Sequence, residues 1–229
     1  MSRAHYKFVA MVVLLVLALP LWAQIPVAGH LTAVKGNVSL ERGQSMPVLL
    51  HKGDELRFGD AIRTDAKSSA TLQLSDGSTV RIFPASRVEL RPENGKWKEF
   101  LHVLLGNVRV KIEKLSGRPN PKVTTTPTAI IAVRGTIFAV AVEQNGDTQV
   151  GLEKGLVAVA NRLQTEHEVL LQAGQETWVR NGQEPGQPQR MQRPMPGIAG
   201  PGSSGFGMGG PGATGMKRPS GTGKRGPSM

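Results

Sequence analysis

The histidines are the first side chains in this sequence that could do chemistry. None of them shows the His-Glu-x-x-His spacing that holds zinc on a helix. The triplet Glu166-His167-Glu168 places carboxylates beside an imidazole, but neighbouring strand side chains point to opposite faces. We therefore interpret the triplet as a surface hairpin tip. The five histidines are His5, His30, His51, His102 and His167.

The other residue types needed for catalysis also lack a recognisable arrangement. The Gly-Asp pairs at 53–54 and 59–60 do not form a calcium-binding loop, so we interpret them as turns. There is no Gly-x-Ser-x-Gly elbow, no phosphate-binding glycine loop and no cysteine. The sequence therefore predicts no catalytic residue, no metal, no cofactor and no enzymatic activity.

The element around which the chain is organised is the β-branched apolar run at residues 123–142. Residues 129–133 are apolar at nearly every position, which is typical of a strand covered on both faces, and residues 137–142 repeat the pattern. Gly135 between them indicates a bend. We expect a buried Arg-Gly-Thr corner in which Arg134 makes a structural hydrogen bond, the alternative being contact with a ligand.

Short β-like runs separated by Gly, Asp and Pro continue along most of the chain. The clearest hairpin joins residues 70–74 to residues 79–83 through a turn that contains Asp76 and Gly77. A Gly-x-Val step recurs at 36–38, 106–108 and 155–157, each time at an expected strand entry. The pattern predicts one all-β domain over residues 24–184, a jelly-roll-like sandwich or roll of short antiparallel strands.

The N-terminus resembles a secretory signal. Arg3 and Lys7 precede an apolar core of about 12 residues, and Ala23 is a small residue at its exit. We predict a signal peptide at residues 1–23, cleaved after Ala23, with an uncleaved anchor as the alternative. The mature chain is then expected in the periplasm or outside the cell, without a stable membrane span.

The net charge of +11 is concentrated outside the expected domain. Residues 24–184 hold 20 basic against 17 acidic residues, and few aromatics, so nucleic acid is not an expected partner. Residues 185–229 are rich in Gly and Pro, contain no acid and are expected to be disordered. Their basic residues are candidates for contact with an anionic glycan or lipid surface. They are Arg190, Arg193, Lys217, Arg218, Lys224 and Arg225.

Several short motifs, in this order, resemble the FecR domain of bacterial envelope proteins. They are GDAIRT at 59–64, ATLQLSDGS at 70–78, GNV at 106–108, VRGTIFAV at 133–140 and GLEKGLV at 151–157. The resemblance covers residues 29–180, and its Arg-Gly-Thr-x-Phe piece is the most specific. The positions that carry it are Gly59, Asp60, Thr64, Asp76, Gly77, Gly106, Arg134, Gly135, Thr136, Phe138 and Gly155.

The FecR resemblance implies an all-β fold that transmits signals or binds partners without catalysis. The best-known members carry a cytoplasmic domain that handles a sigma factor, whereas about seven residues precede the apolar core here. We therefore expect an exported module for protein binding, scaffolding or signalling, with an envelope protein as its partner. The alternative is a protein that binds cell-wall glycan or lipopolysaccharide through its basic tail.

Overall fold

Strands make up all the regular secondary structure that the computed structural model describes, which covers residues 26–43, 45–92, 99–192 and 195–196. The all-β prediction is confirmed. The strands are β1 (Val27–Lys35), β2 (Val38–Glu41), β3 (Val48–Leu49), β4 (Glu55–Arg57), β5 (Ala61–Thr64), β6 (Ser69–Leu74), β7 (Thr79–Ile82), β8 (Arg87–Leu90), β9 (Glu99–Lys111), β10 (Pro121–Thr125), β11 (Ala129–Arg134), β12 (Ile137–Val142), β13 (Thr148–Lys154), β14 (Leu156–Asn161), β15 (Glu168–Gln172), β16 (Gln175–Val179) and β17 (Gln189–Arg190).

The strands form two sheets that share β9. Sheet A has the order β4-β1-β6-β7-β9-β12-β13-β16-β17. Sheet B has the order β3-β2-β5-β8-β9-β10-β11-β14-β15. Every neighbouring pair is antiparallel except β9 and β10, which run parallel. Among the described strands neither sheet closes on itself, so both have free edges.

The long strand β9 passes from one sheet to the other at Gly106. Its first half pairs with β8 in sheet B, and the half from Gly106 onward pairs with β12 in sheet A. The sequence predicts that a strand ends before Gly106, whereas the structure bends one strand there. Gly106 has a φ of +86°, and a Cβ on it would lie 2.3 Å from the Ser86 Oγ. The close approach and the left-handed backbone together require glycine.

The recurring Gly-x-Val step marks places where the chain crosses between the sheets. At the first two crossings the amide after the glycine donates to a serine hydroxyl on a neighbouring corner. Asn37 N donates to Ser68 Oγ at 2.8 Å, and Asn107 N donates to Ser86 Oγ at 2.9 Å. The Gly-x-Val motif therefore marks the point where the chain passes from one sheet to the other. This is more specific than the strand entry that the sequence predicts. The three glycines, all with positive φ, are Gly36, Gly106 and Gly155.

One apolar core fills the space between the sheets. Alternate residues of each strand point inward, as in β6 and β11, because side chains alternate along a strand. Phe100 and Phe138 are the largest fully buried side chains. Residues from both sheets belong to the same buried cluster, so the sheets pack face to face as a sandwich.

The chain continues past residue 184 onto the outer face of sheet A. β17 pairs with β16, and the side chains of Met191 and Met195 are buried against Ala139. A Cβ on Gly151 would lie 2.5 Å from the Met195 Sδ. The two methionines can therefore pack here only because residue 151 has no side chain. The structure thus differs from the predicted tail boundary at 185, because residues 185–192 pack on the domain. We call the described residues from 189 to 195 the methionine strap.

Candidate docking face

Asp60 of the first sequence motif is a structural residue. Its carboxylate is buried, accepts from Arg42 Nε at 2.5 Å and Arg42 Nη2 at 2.9 Å, and accepts from Arg57 N at 2.8 Å. The hydrogen bond to Asp60 is the main cause that raises the pKa of Arg42. Gly59 beside it supplies a φ of +91°. These three hydrogen bonds hold the turn before β5.

Thr64, the last residue of the GDAIRT motif, connects the end of β5 to the turn between β7 and β8. Its hydroxyl donates to the Phe83 carbonyl at 2.7 Å and accepts from Ser86 N at 3.0 Å. Ser86 in turn contacts the crossing at Gly106. Thr64 therefore serves the fold.

Asp76 in the hairpin turn anchors sheet A to β10 of sheet B. Its carboxylate accepts from Ser78 N at 2.9 Å, from Asn120 Nδ2 at 2.8 Å and from Lys122 Nζ at 3.0 Å. Burial opposes ionisation, but these three hydrogen bonds outweigh it and lower the pKa of Asp76. Gly77 follows with a φ of +84°, as the hairpin turn requires.

The Arg-Gly-Thr corner is only partly buried, which corrects the expectation of a buried corner. Thr136 is fully buried, and Arg134 is exposed at the end of β11. Gly135 turns the chain with a φ of +67° toward β12, where Phe138 enters the core. Because the corner lies at the edge of the sandwich, its charge reaches solvent without a buried partner. Within the described residues, the Thr136 Oγ1 has no hydrogen-bond partner.

A polar cluster that sequence reasoning missed lies on the outer face of sheet B. The Thr125 hydroxyl donates to Glu99 Oε1 at 2.6 Å, so the His102 Nδ1, also at 2.6 Å, must donate to Thr125. Burial, and then the charges of Arg162 and Arg91, lower the pKa of His102 to about 4. The imidazole is neutral at pH 7 and donates toward the hydroxyl. A general base would have to accept from it, so this geometry does not activate Thr125 as a nucleophile.

The outer face of sheet B divides into two halves of different character. Its N-terminal half carries charged side chains such as Arg63 and Arg87, the latter 2.7 Å from Glu41. Its C-terminal half carries small and apolar side chains on β11, β14 and β15. We call this half the open face. It consists of Ile130, Ala132, Leu156, Ala158 and Leu170.

The open face contains a groove of about 630 Å³. A cross-strand row of Ala132, Ala158 and Leu170 forms its floor. Leu170 is 53% exposed, so no described residue covers it. Arg134 and Glu168 line opposite ends of the groove. Of the sequence-predicted motif positions, Arg134 is the one that reaches this groove.

Sequence reasoning did contain a signal for the open face. The apolar residues 129–133 predict a strand covered on both faces, and the structure covers only the core side among the described residues. The outward residues Ile130 and Ala132 are half-buried. A run without polar alternation at a surface indicates a docking site.

The remaining sequence predictions are tested only in part by the described residues. Arg190 is exposed on β17, and the other five basic residues of the tail lie outside the described residues, as does the segment 1–23. Within the described ranges, no group of His, Asp and Glu could hold a metal ion. In the same ranges, no helix is long and apolar enough to cross a membrane.

Two crystal structures of a candidate anti-sigma factor from Parabacteroides distasonis, at 1.65 and 2.50 Å resolution, are similar to this chain. Each is 18% identical with a TM-score of 0.47, and each match covers 57% of this chain and 59% of the other. No curated protein matches the sequence.

A protein-family model described as FecR protein matches residues 60–158. The matched segment runs from Asp60 to Ala158 and includes the hairpin turn, the Gly106 crossing and the Arg-Gly-Thr corner. The match confirms the resemblance that the sequence motifs carry, so residues 60–158 are similar to the FecR protein family.

Proposed function

We propose that this chain is a non-catalytic module that holds a protein partner on its open face, and that it acts in signalling or scaffolding in the bacterial envelope. The observation that carries the proposal is the uncovered apolar groove over β11, β14 and β15. The similarity to the FecR protein family supports a role in regulation.

The chemistry of the open face favours a protein over a glycan. Its floor consists of the methyl groups of Ala132 and Ala158 and the isobutyl group of Leu170. The lining of the groove contains no hydroxyl or amide side chains that could hydrogen-bond a sugar. Burying an exposed leucine such as Leu156 or Leu170 contributes about 1.5–3 kcal/mol. A partner that covers both leucines therefore gains a useful share of its binding free energy from this face.

The free edge of β15 suggests how a partner segment would bind. Among the described strands, β15 pairs with β14 alone, and its opposite edge has no strand beside it. An extended partner segment can add to this edge through main-chain hydrogen bonds, while its alternate side chains enter the groove beside Leu170. Strand addition therefore combines affinity from the backbone with selectivity from the groove.

The same groove is poorly suited to catalysis. Its charged lining residues are Lys122, Arg134 and Glu168. Lys122 is buried against Asp76. Arg134 lies beside Leu156 across the sheet, and Glu168 lies beside Ala160. Leu156 and Ala160 are four residues apart on β14. Four residues along the strands and two strands across the sheet separate their Cα atoms by about 16 Å, which is too far for an acid and base acting on one bond.

The proposal is tested by site-specific photocrosslinking in cells. Benzoylphenylalanine replaces Leu170 in the groove, and in a matched variant it replaces Arg63, which is exposed on the charged half of the same sheet. We expect position 170 to capture one reproducible protein, at about tenfold higher yield than position 63.

Equal capture from both positions, or no protein captured from position 170, would overturn the proposal. A second variant, Ala158→Asp, places a charge on the groove floor and should abolish capture from position 170. Its folding is checked by circular dichroism of the purified chain. Capture that survives this change would also count against the groove.

A further inference from the structure

We infer that the chain itself supplies an occupant for the open face, namely the segment 206–218 of its own C-terminal region. This segment reads FGMGGPGATGMKR and contains Phe206, Met208 and Met216 followed by Lys217 and Arg218. The inference rests on the proposed function only in using the same face. It adds that a partner must displace a tethered segment of the same molecule.

The methionine strap is a precedent within the same chain, because its two methionines cover the outer face of a sheet. Met191 is 4% exposed and Met195 is 5% exposed, and both lie on the outer face of sheet A. They pack on Ala139 and approach Gly151 so closely that a Cβ there would clash. Methionine suits this task because its unbranched thioether adapts to a shallow surface.

The open face of sheet B presents the same kind of surface. Ala132 and Ala158 lie side by side on its floor, and Ala160 is in the next row. These small side chains leave a groove that a long flexible side chain can fill. Met208 and Met216 are the methionines of segment 206–218, and they lie C-terminal to the strap.

The charges of the segment are complementary to the acidic end of the groove, whereas Lys122 and Arg134 lie elsewhere in its lining. Glu168 lines one end of the groove, and Glu166 and Glu184 line the hollow beside the β14–β15 turn. Lys217 and Arg218 directly follow Met216. A bound Met216 therefore brings two positive charges next to this acidic end, where they favour one orientation of the segment.

The length of the chain allows the segment to reach the groove. Nineteen residues lie between Pro196, the last described residue, and Met216, and the 20 steps from one to the other span up to about 65 Å when extended. The two sheets are about 10 Å apart, so a path around the sandwich edge is well within reach. For a Gly-rich chain of this length the root-mean-square end-to-end distance is about 25 Å. Such a tether gives an effective concentration in the millimolar range, which makes even a weak contact populated.

Crosslinking of the purified full chain tests the inference. Benzoylphenylalanine at position 170 is irradiated in an equal mixture of unlabelled and nitrogen-15-labelled chains, so that links within and between molecules differ in mass. We expect links within one chain, from position 170 to residues 206–218, at about tenfold higher yield than from position 63. A link to another part of the chain, a link between molecules, or no link would overturn the inference.

Charge variants test the orientation of the segment. Met216→Asp combined with Lys217→Glu and Arg218→Glu should reduce the link about tenfold. The matched control, Lys224→Glu with Arg225→Glu, reverses the same number of basic charges beyond the segment and should leave the yield within about twofold. An equal loss in both variants would show nonspecific charge attraction and overturn the inference. Adding Glu168→Lys to the Lys217→Glu and Arg218→Glu pair should restore the link.

The outcome is separable from that of the proposed function. If the segment occupies the groove, the Met216→Asp triple variant should capture more of the cellular partner at position 170. Capture that is present and unchanged by this variant would retain the proposed function and overturn the self-occupancy.

Discussion

The strands β11 and β12 come from one apolar run, but the chain treats their outer faces differently. On β12 the outward Ala139 is 1% exposed because Met191 and Met195 pack over it. On β11 the outward Ile130 and Ala132 have no such cover among the described residues. The two strands have the same residue pattern, so the difference lies in what the rest of the chain places over them.

This difference teaches how to interpret strands that are apolar on both sides. Such a strand predicts that both faces will be buried, and β12 meets that prediction within one molecule. β11 meets it on the core side, so the missing cover must come from elsewhere. An unmet requirement for burial is thus evidence for a binding surface.

The largest effect is expected at Gly106, where β9 connects the two faces being compared. Gly106→Ala adds a Cβ 2.3 Å from Ser86 Oγ and 2.7 Å from the Ala85 carbonyl, at a φ of +86°. We expect a loss of about 3–5 kcal/mol in the free energy of unfolding, measured by urea denaturation.

A matched substitution separates the clash from the backbone strain. Gly59→Ala has a φ of +91°, but a Cβ there meets nothing within 4 Å. It should cost about 1–2 kcal/mol. Equal losses at the two positions would mean that the crossing at Gly106 is not tightly packed.

A smaller effect is expected from acid, acting at the boundary between the two halves of sheet B. His102 has its pKa lowered from 6.5 to about 4, so the unfolded chain binds a proton over this range that the folded chain does not. Stability should therefore fall by about 3 kcal/mol as the pH is lowered from about 7 to 4. His102→Gln should remove this part of the slope in pH-dependent urea unfolding.

If His102→Gln leaves the slope between pH 7 and 4 unchanged, then His102 is not held neutral by burial beside Thr125.

The smallest effects test the comparison of the two outer faces directly. Ala139→Asp places a carboxylate under the methionine strap and should cost about 2 kcal/mol, because the strap must detach. Ala158→Asp on the open face should cost less than about 1 kcal/mol. Urea denaturation gives both values, and trypsin cleavage after Arg190 should increase only in the Ala139 variant.

If the two aspartate variants lose the same stability, the faces are equally covered and the comparison fails. If trypsin cleaves after Arg190 equally in both variants, the strap does not depend on Ala139.

Sequence reasoning could predict the parts of this fold that local chemistry determines. The turn at Asp76 and Gly77, the bend at Gly135 and the strand pattern follow from backbone preferences and alternation. The similarity of residues 60–158 to the FecR protein family follows from motif order. These features depend on residues close together in the chain, whose preferences can be read directly.

The parts that escaped prediction depend on register between distant strands. His102, Thr125 and Glu99 meet because β9 and β10 pair in parallel, which no local pattern indicates. The division of sheet B into charged and apolar halves requires knowing that β5 and β14 belong to the same sheet. The covering of sheet A by Met191 depends on a segment whose Gly and Pro content indicated disorder.

The sharing of β9 by both sheets has a consequence for folding during synthesis. The first eight strands pair only among themselves and with β9, so they can assemble before the second half of the chain has been made. At that stage β9 would display unpaired main-chain groups along both stretches that later bind β10 and β12. Unpaired strand edges of this kind promote aggregation. The nascent half-molecule is therefore the species in which a chaperone would be most needed.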